Sequence, residues 1–131
     1  MYERKFVLCA DCVFVNDGKI LLLKRNVEPF KYCWHVVGGH VEDDETLRDA
    51  LKREYKEETN LDIDVGNIID YRIENTDDRT KIIVILEIAH ANGQIKLNHE
   101  NDDFGWFAKT PLNSVYNYDL YLNSKSTKRS T

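Results

Sequence analysis

Glutamates are concentrated in one short segment of the chain, which reads GGHVEDDETLRDALKREYKEETNL from residue 38 to residue 61. Thr46, with an acid three residues later, has the spacing of a capping box, so we expect a helix that begins directly after it. At about 100° per residue, Glu54 and Glu58 fall within the apolar stripe of this helix, and Glu57 lies at its edge. Carboxylates are rarely buried unless a cation accompanies them. The pattern therefore predicts a cation site on the inward face of the helix.

The alternative is a solvated helix whose glutamates pair with lysines four residues away. Glu54 has Glu58 at that spacing, and two like charges there cost stability unless something neutralises them. A divalent cation does so, and carboxylate oxygens suit Mg²⁺ or Mn²⁺. The spacing thus favours a metal over surface ion pairs.

The spacing resembles the Nudix box, written G-x5-E-x7-R-E-U-x-E-E-x-G-U, where U is a bulky apolar residue. Its fixed positions are occupied by Gly39, Glu45, Arg53, Glu54, Glu57, Glu58 and Leu61. Tyr55 departs from it at a U position, and Asn60 replaces the last glycine. Asn is the usual second choice for the left-handed residue that ends a helix, so we expect this departure to leave the site intact.

The resemblance implies a hydrolase that cleaves a diphosphate linkage in a nucleoside diphosphate derivative, with Mg²⁺ or Mn²⁺ as cofactor. It implies Glu54 and Glu58 as principal metal ligands, with Glu57 in the same cluster and the carbonyl of Gly39 as a further ligand. Arg53 would orient these glutamates by charge-assisted hydrogen bonds, pairing with the glutamate that precedes the helix.

The general base remains open between a box glutamate and an acid from a later loop. The loop at residues 98–103, NHENDD, precedes Trp106 and resembles the acidic loop of the family. Glu100 is the first candidate in this loop and Asp103 the second. The alternative is an acidic loop that is simply solvated.

Substrate contacts are expected from Arg25, Trp34, Gly38 and Gly39. A cation at a strand end could meet a phosphate, an aromatic ring could stack on a base, and two glycines let the backbone turn tightly. The alternatives are a solvated strand-end pair and ordinary packing. A small chain without an added domain favours a free nucleotide such as an NTP or dNTP. ADP-ribose or a nucleotide sugar, and a catalytically silent Nudix-like nucleotide-binding module, are the alternative functions.

Composition predicts one small domain. The chain has 131 residues, of which 42% are hydrophobic, enough for one core. A net charge of −5 speaks against bulk nucleic-acid binding. No apolar stretch resembles a signal peptide or a membrane span, so we expect a cytoplasmic protein that acts on a small molecule. A homodimer is compatible with this composition.

The chain alternates strand patterns with two helices. Two early strands, 5–15 and 19–25, flank the hairpin turn signal Asn16-Asp17-Gly18. Further strands are predicted at residues 32–37, 63–75, 81–91, 94–97 and 104–108, and a second helix at 112–122. We expect one domain over residues 1–122 and a polar, disordered tail at 123–131. The class is α/β (α+β), a mixed sheet flanked by helices, and the resemblance implies the Nudix α/β/α sandwich.

Three cysteines are an odd number and do not indicate a disulfide framework. Cys9 and Cys12 form a C-x-x-C motif, which is typical of zinc or redox sites. They lie in a strand-like run, where residues three apart point to opposite faces. Buried thiols are therefore the favoured interpretation.

Overall fold

A computed structural model describes residues 3–122, in which eight strands form two sheets and one α-helix packs against the first sheet. The elements are β1 (Lys5–Val13), β2 (Val15–Asn16), β3 (Lys19–Arg25), β4 (Trp34–His35), β5 (Val37–His40), α1 (Leu47–Thr59), β6 (Asp62–Asn75), β7 (Arg79–Asn92) and β8 (Asn101–Phe107). The tail for which we expect disorder lies outside the described residues.

The first sheet, here called sheet A, has the strand order β5-β1-β7-β6. Its strands β1 and β7 run parallel, whereas β1 with β5 and β6 with β7 are antiparallel. In the second sheet, sheet B, β3 pairs with β2, β4 and β8. The mixed sheet confirms the predicted α+β class. Within residues 3–122, no helix is long and apolar enough to cross a membrane.

The hairpin between β2 and β3 forms where the sequence predicts it. Asp17 and Gly18 both have positive φ, 54° and 71°, as a two-residue type I′ turn requires. The turn matches the right-handed twist of the strands that it joins, which explains why so short a signal is reliable.

The second predicted helix, at residues 112–122, is wrong: the structure has only a 3₁₀ turn at Asp119–Tyr121. Polar side chains take up the backbone groups of this segment. Asp119 accepts hydrogen bonds from the backbone N and Oγ1 of Thr110, both at 2.7 Å, and Asn117 Oδ1 accepts from Asp119 N at 2.9 Å. Such local bonds compete with helical ones.

Two predicted strands also differ from the structure. Residues 94–97 form no strand, because Lys96 N donates to the Thr59 carbonyl at the end of α1, at 2.8 Å, instead of pairing in a sheet. The strand predicted at 32–37 is divided, since β4 joins sheet B and β5 joins sheet A. Its two halves therefore connect the two sheets.

Two buried clusters lie on the two faces of sheet A. Leu51 and Tyr55 of α1 belong to one cluster, and Tyr118 and Tyr121 of the C-terminal segment belong to the other. Cys12 lies in the first cluster and Cys9 in the second, and both thiols are free and buried. This confirms that the C-x-x-C residues point to opposite faces.

Candidate functional site

Helix α1 begins and ends as the sequence predicts. The Thr46 hydroxyl caps it by accepting from Asp49 N at 3.1 Å. Asn60 ends it in the left-handed conformation, with φ 69°, and its N–H donates to the Lys56 carbonyl at 3.0 Å. Tyr55 is buried on the inward side. These contacts fix the rotation of the helix, and therefore the direction in which its glutamates point.

Glu54 and Glu58 lie side by side on the inward face. The side chain of Glu54 is 17% exposed, and Glu58 is 4% exposed. The two carboxyls share a hydrogen bond. Burial raises the pKa of both groups, and the charge of Glu54 raises the pKa of Glu58 further. Two buried carboxyls in contact require a shared proton or a cation, and their oxygen donors fit a hard divalent ion.

The glycine pair on β5 allows Glu54 to lie directly against the strand. A Cβ on Gly39 would lie 2.3 Å from Glu54 Oε2, closer than atoms can approach. A Cβ on Gly38 would lie 2.0 Å from Asp11 Oδ1, on the neighbouring strand. The tight turn expected at these glycines is wrong, because both lie within the extended strand β5; what they allow is the close approach of the two carboxylates.

Arg53 holds the glutamates in place. Its Nε and Nη2 donate to the two carboxylate oxygens of Glu45 at 2.6 and 2.9 Å, and its Nη1 donates to Glu54 Oε2 at 3.3 Å. Nη2 also donates to the His40 carbonyl on β5, at 3.2 Å. The guanidinium lowers the pKa of Glu45 to about 2. The structure contains the expected pairing of Arg53 with Glu45.

Glu57 does not join the pair in this arrangement. Its side chain is 56% exposed, and its Oε1 lies 3.7 Å from Arg53 Nη1. Among residues 3–122, no three His, Cys, Asp or Glu side chains converge to hold a metal ion. Further ligands for a cation at Glu54 and Glu58 would thus be backbone carbonyls, water or substrate oxygens, as is usual for Mg²⁺.

Asn101 is a functional candidate that the sequence did not reveal. It is 2% exposed, and its Nδ2 donates to Glu58 Oε1 at 3.0 Å. Its Oδ1 lies 2.7 Å from His35 Nε2, so the amide links β4 to the helix. The loop predicted at 98–103 ends earlier in the structure, because Asn101 begins β8. An uncharged amide among acids gives no signal of burial.

Of the two candidate bases in this segment, Glu100 is half-buried and Asp103 is exposed. The charge of Glu100 contributes to the raised pKa of Glu58, and its carbonyl accepts from Asn26 N at 2.8 Å. Asp103 is exposed, and its carboxylate accepts from the adjacent Phe104 N at 2.8 Å. Glu100 therefore stays the first candidate for the general base.

A cavity of about 280 Å³ lies beside the glycine pair. Its lining residues include Asp11, Arg25, Phe30, His35, Gly38, Gly39, Lys81, Tyr116 and Tyr118. Arg25 donates from Nε to the Pro29 carbonyl at 2.7 Å. Trp34, by contrast, packs edge-on against Phe107, with ring centroids 4.8 Å apart. Three of the four expected substrate contacts thus line the cavity, and Trp34 supports sheet B.

Asp11 is the second residue that sequence reasoning missed. It is a single carboxylate in the apolar run KFVLCADCVFV, and that contrast was the available signal. Burial raises its pKa to about 6, and nearby Arg72 and Lys81 oppose the shift.

Comparisons with known proteins agree with this geometry. A family model described as NUDIX domain matches residues 5–122. The ADP-ribose pyrophosphatase of Methanocaldococcus jannaschii is 35% identical over 102 residues, which cover 76% of this chain but only 60% of that protein. The nucleoside triphosphatase NudI of Escherichia coli strain K12 is 32% identical over 143 aligned positions, covering 97% of this chain and 96% of that protein. The solution structure of the E. coli ORF135 protein has a TM-score of 0.72 at 26% identity, covering 79% of this chain and 74% of that one.

Proposed function

This chain belongs to the NUDIX family and is a hydrolase of that family, and on that premise we propose that it hydrolyses a diphosphate linkage in a nucleoside triphosphate or deoxynucleoside triphosphate. Hydrolases of the family generally use divalent metal ions. The observation that carries the proposal is the contact of Glu54 with Glu58 against Gly39, directly beside the cavity.

Glu54 and Glu58 would hold Mg²⁺, or Mn²⁺, with the Gly39 carbonyl as a further ligand and Glu57 within reach of the site. The bound ion would neutralise phosphate oxygens and lower the pKa of a water molecule. Arg53 keeps Glu54 in position through its fork with Glu45.

Asn101 fixes the carboxyl of Glu58 by donating to it. Glu100 would take a proton from the attacking water, which forms a new P–O bond while the anhydride P–O bond breaks and its electrons leave with the departing phosphate. Arg25 would contact a phosphate of the substrate in the cavity that it lines.

We choose a triphosphate because of the share of each chain that the alignment with NudI covers. NudI, described as a nucleoside triphosphatase, aligns over nearly the whole of both chains. ADP-ribose or a nucleotide sugar is the second candidate, because the archaeal relative is described as an ADP-ribose pyrophosphatase and has higher identity. A silent binding module fits less well, since both inward carboxylates of α1 are retained.

A substrate panel tests the proposal. Nucleoside and deoxynucleoside triphosphates, ADP-ribose and UDP-sugars would be incubated with the protein in Mg²⁺, Mn²⁺ or EDTA, and the products separated. We expect cation-dependent cleavage of triphosphates that Glu58→Gln abolishes and Asp49→Asn retains, since Asp49 is exposed in the first turn of the same helix. Faster cleavage of ADP-ribose would establish the second candidate. Cleavage that Glu58→Gln leaves intact would refute the assigned site.

A further inference from the structure

The carboxylate of Asp11 lines the cavity without a hydrogen-bond donor. It lies on β1 beside the glycine pair, and no group within residues 3–122 donates to it. Asp11 is partly exposed in the cavity, so its carboxylate oxygens are accessible to a ligand. An unmet carboxylate in the wall of a cavity is therefore a group that a ligand would satisfy.

Two cationic side chains, Lys81 and Arg72, lie on the same face of sheet A as Asp11. Lys81 lines the cavity. Arg72 on β6 pairs with Ile83 on β7, and Ile83 pairs with Cys9 on β1. Asp11 lies two residues further along β1, on the same face. The Nε and Nη2 of Arg72 are buried and lack an acceptor in the described part of the chain. The guanidinium carbon lies 3.8 Å from the ring centroid of the cavity-lining Tyr116. The cavity wall thus contains the acceptor Asp11 and the donor Lys81, and Arg72 lies behind the wall residue Tyr116.

This combination matches one nucleobase best. Guanine presents two adjacent donors, N1–H and its exocyclic amino group, which one carboxylate can accept together, and O6 beside them can accept from a cation. Adenine and cytosine place a ring lone pair next to their amino group, where it would repel the second carboxylate oxygen. Uracil and thymine flank their single N–H with two carbonyls.

The cavity also has the dimensions and the aromatic surface for a base. Its volume of about 280 Å³ lies just below the range of roughly 300–1,000 Å³ for drug-sized ligands. It would therefore hold part of a nucleotide, with the phosphates extending towards Glu54 across Gly39. Phe30, 57% exposed at the cavity, offers a ring for stacking.

We propose that Asp11 is a specificity-determining residue that selects a guanine base, with Lys81 donating to its O6. The proposal rests on the proposed function, because it assumes that the cavity receives the base of the substrate. It narrows that substrate class to guanine nucleotides.

Binding of nucleoside monophosphates tests the proposal without catalysis. GMP, AMP, CMP and UMP would be titrated calorimetrically into wild type, Asp11→Asn and Asp64→Asn in EDTA. A good bidentate pair is worth a factor of about 10 or more in discrimination. Wild type should thus bind GMP at least about tenfold more tightly than UMP. Asp11→Asn should remove that preference, and Asp64→Asn, which removes an exposed charge on β6, should keep it.

Lys81→Gln provides a second variant should Asp11→Asn fail to fold. It should weaken GMP binding and leave UMP binding within about twofold, because only guanine would lose its O6 contact. Equal affinity of wild type for the four monophosphates, or unchanged GMP binding in both folded variants, would overturn the proposal.

Kinetics on the four triphosphates separate this proposal from the proposed function. With GTP, Asp11→Asn should raise KM and keep kcat within a few fold. Guanine-selective binding without hydrolysis of any triphosphate would refute the proposed function and support the role of Asp11. Hydrolysis that depends on Glu58 but proceeds equally with all four nucleobases would support the proposed function and refute the role of Asp11.

Discussion

The two faces of sheet A differ in how their charged groups are satisfied. On the face covered by α1, Arg53 donates to Glu45 and Glu54, and Asn101 donates to Glu58. On the cavity face, Asp11 has no donor, and neither Nε nor Nη2 of Arg72 has an acceptor within residues 3–122. Hydrogen bonds fix the directions of the carboxylates on the helix side, where Glu54 and Glu58 still need a proton or a cation between them. We therefore expect the helix side to hold a cation in a fixed geometry and the cavity side to recognise a ligand.

Replacing Glu58 should have the largest effect on the helix side. Glu58→Gln keeps the shape but removes a charge needed to hold the cation, which supplies several kcal/mol of transition-state stabilisation. We expect kcat/KM to fall by roughly 10³ to 10⁴, at about 1.4 kcal/mol per tenfold change. Steady-state kinetics at saturating Mg²⁺ measure this. Turnover equal to wild type would remove Glu58 from the site.

Replacing Glu100 should have the next largest effect. Glu100→Gln should lower kcat by about 10² to 10³, in the lower part of the range for a general base, because a cation would already acidify the water. Metal affinity should stay unchanged. Asp103→Asn is the matched control, since Asp103 is an exposed acid three residues away, on β8. Full kcat in Glu100→Gln with loss in Asp103→Asn or Glu57→Gln would move the base to that other residue.

A conservative change at Arg53 should have a smaller effect. Lysine keeps the charge of Arg53 but cannot form the fork to Glu45. Loss of an orienting contact typically costs 10–100-fold in metal affinity or activity, so Arg53→Lys should require about 10-fold more Mg²⁺ for half-maximal rate. Arg48→Lys, on the solvent side of α1, serves as control. An unchanged Mg²⁺ requirement would show that Arg53 does not position the glutamates.

The smallest effect concerns stability in the absence of metal. Burial and Glu54 raise the pKa of Glu58 to about 8. An acid whose pKa is raised on folding binds its proton more tightly when folded, so its stabilisation is present at low pH and lost as pH rises through the folded pKa. In EDTA, the melting temperature should therefore fall from about pH 5 to pH 8, between the unfolded and folded pKa of Glu58, and Glu58→Gln should flatten this fall. A melting temperature of the wild type that rises over this interval would contradict the account.

Local patterns made the helix side predictable. The cap at Thr46, the left-handed Asn60 and the inward direction of Glu54 and Glu58 all follow from residues within about four turns of one helix. The hairpin turn at Asp17 and Gly18 is equally local.

The cavity side depends on contacts between residues distant in sequence. Arg72 approaches Asp11 only through the register of β1, β7 and β6. Asn101 reaches Glu58 across 43 positions. The helix expected at 112–122 failed because the Thr110 and Asp119 side chains form their own bonds, which apolar periodicity does not report.

Cation binding in the absence of nucleotide is the direct test of whether the inward glutamates of α1 hold a metal ion. Metal-free wild type, Glu58→Gln and Asp49→Asn would be titrated with Mn²⁺, and free Mn²⁺ followed by electron paramagnetic resonance. Wild type and Asp49→Asn should bind Mn²⁺ alike, and Glu58→Gln should bind it at least about tenfold more weakly, since it lacks one of the two inward carboxylates. Equal Mn²⁺ affinity in wild type and a folded Glu58→Gln would contradict it.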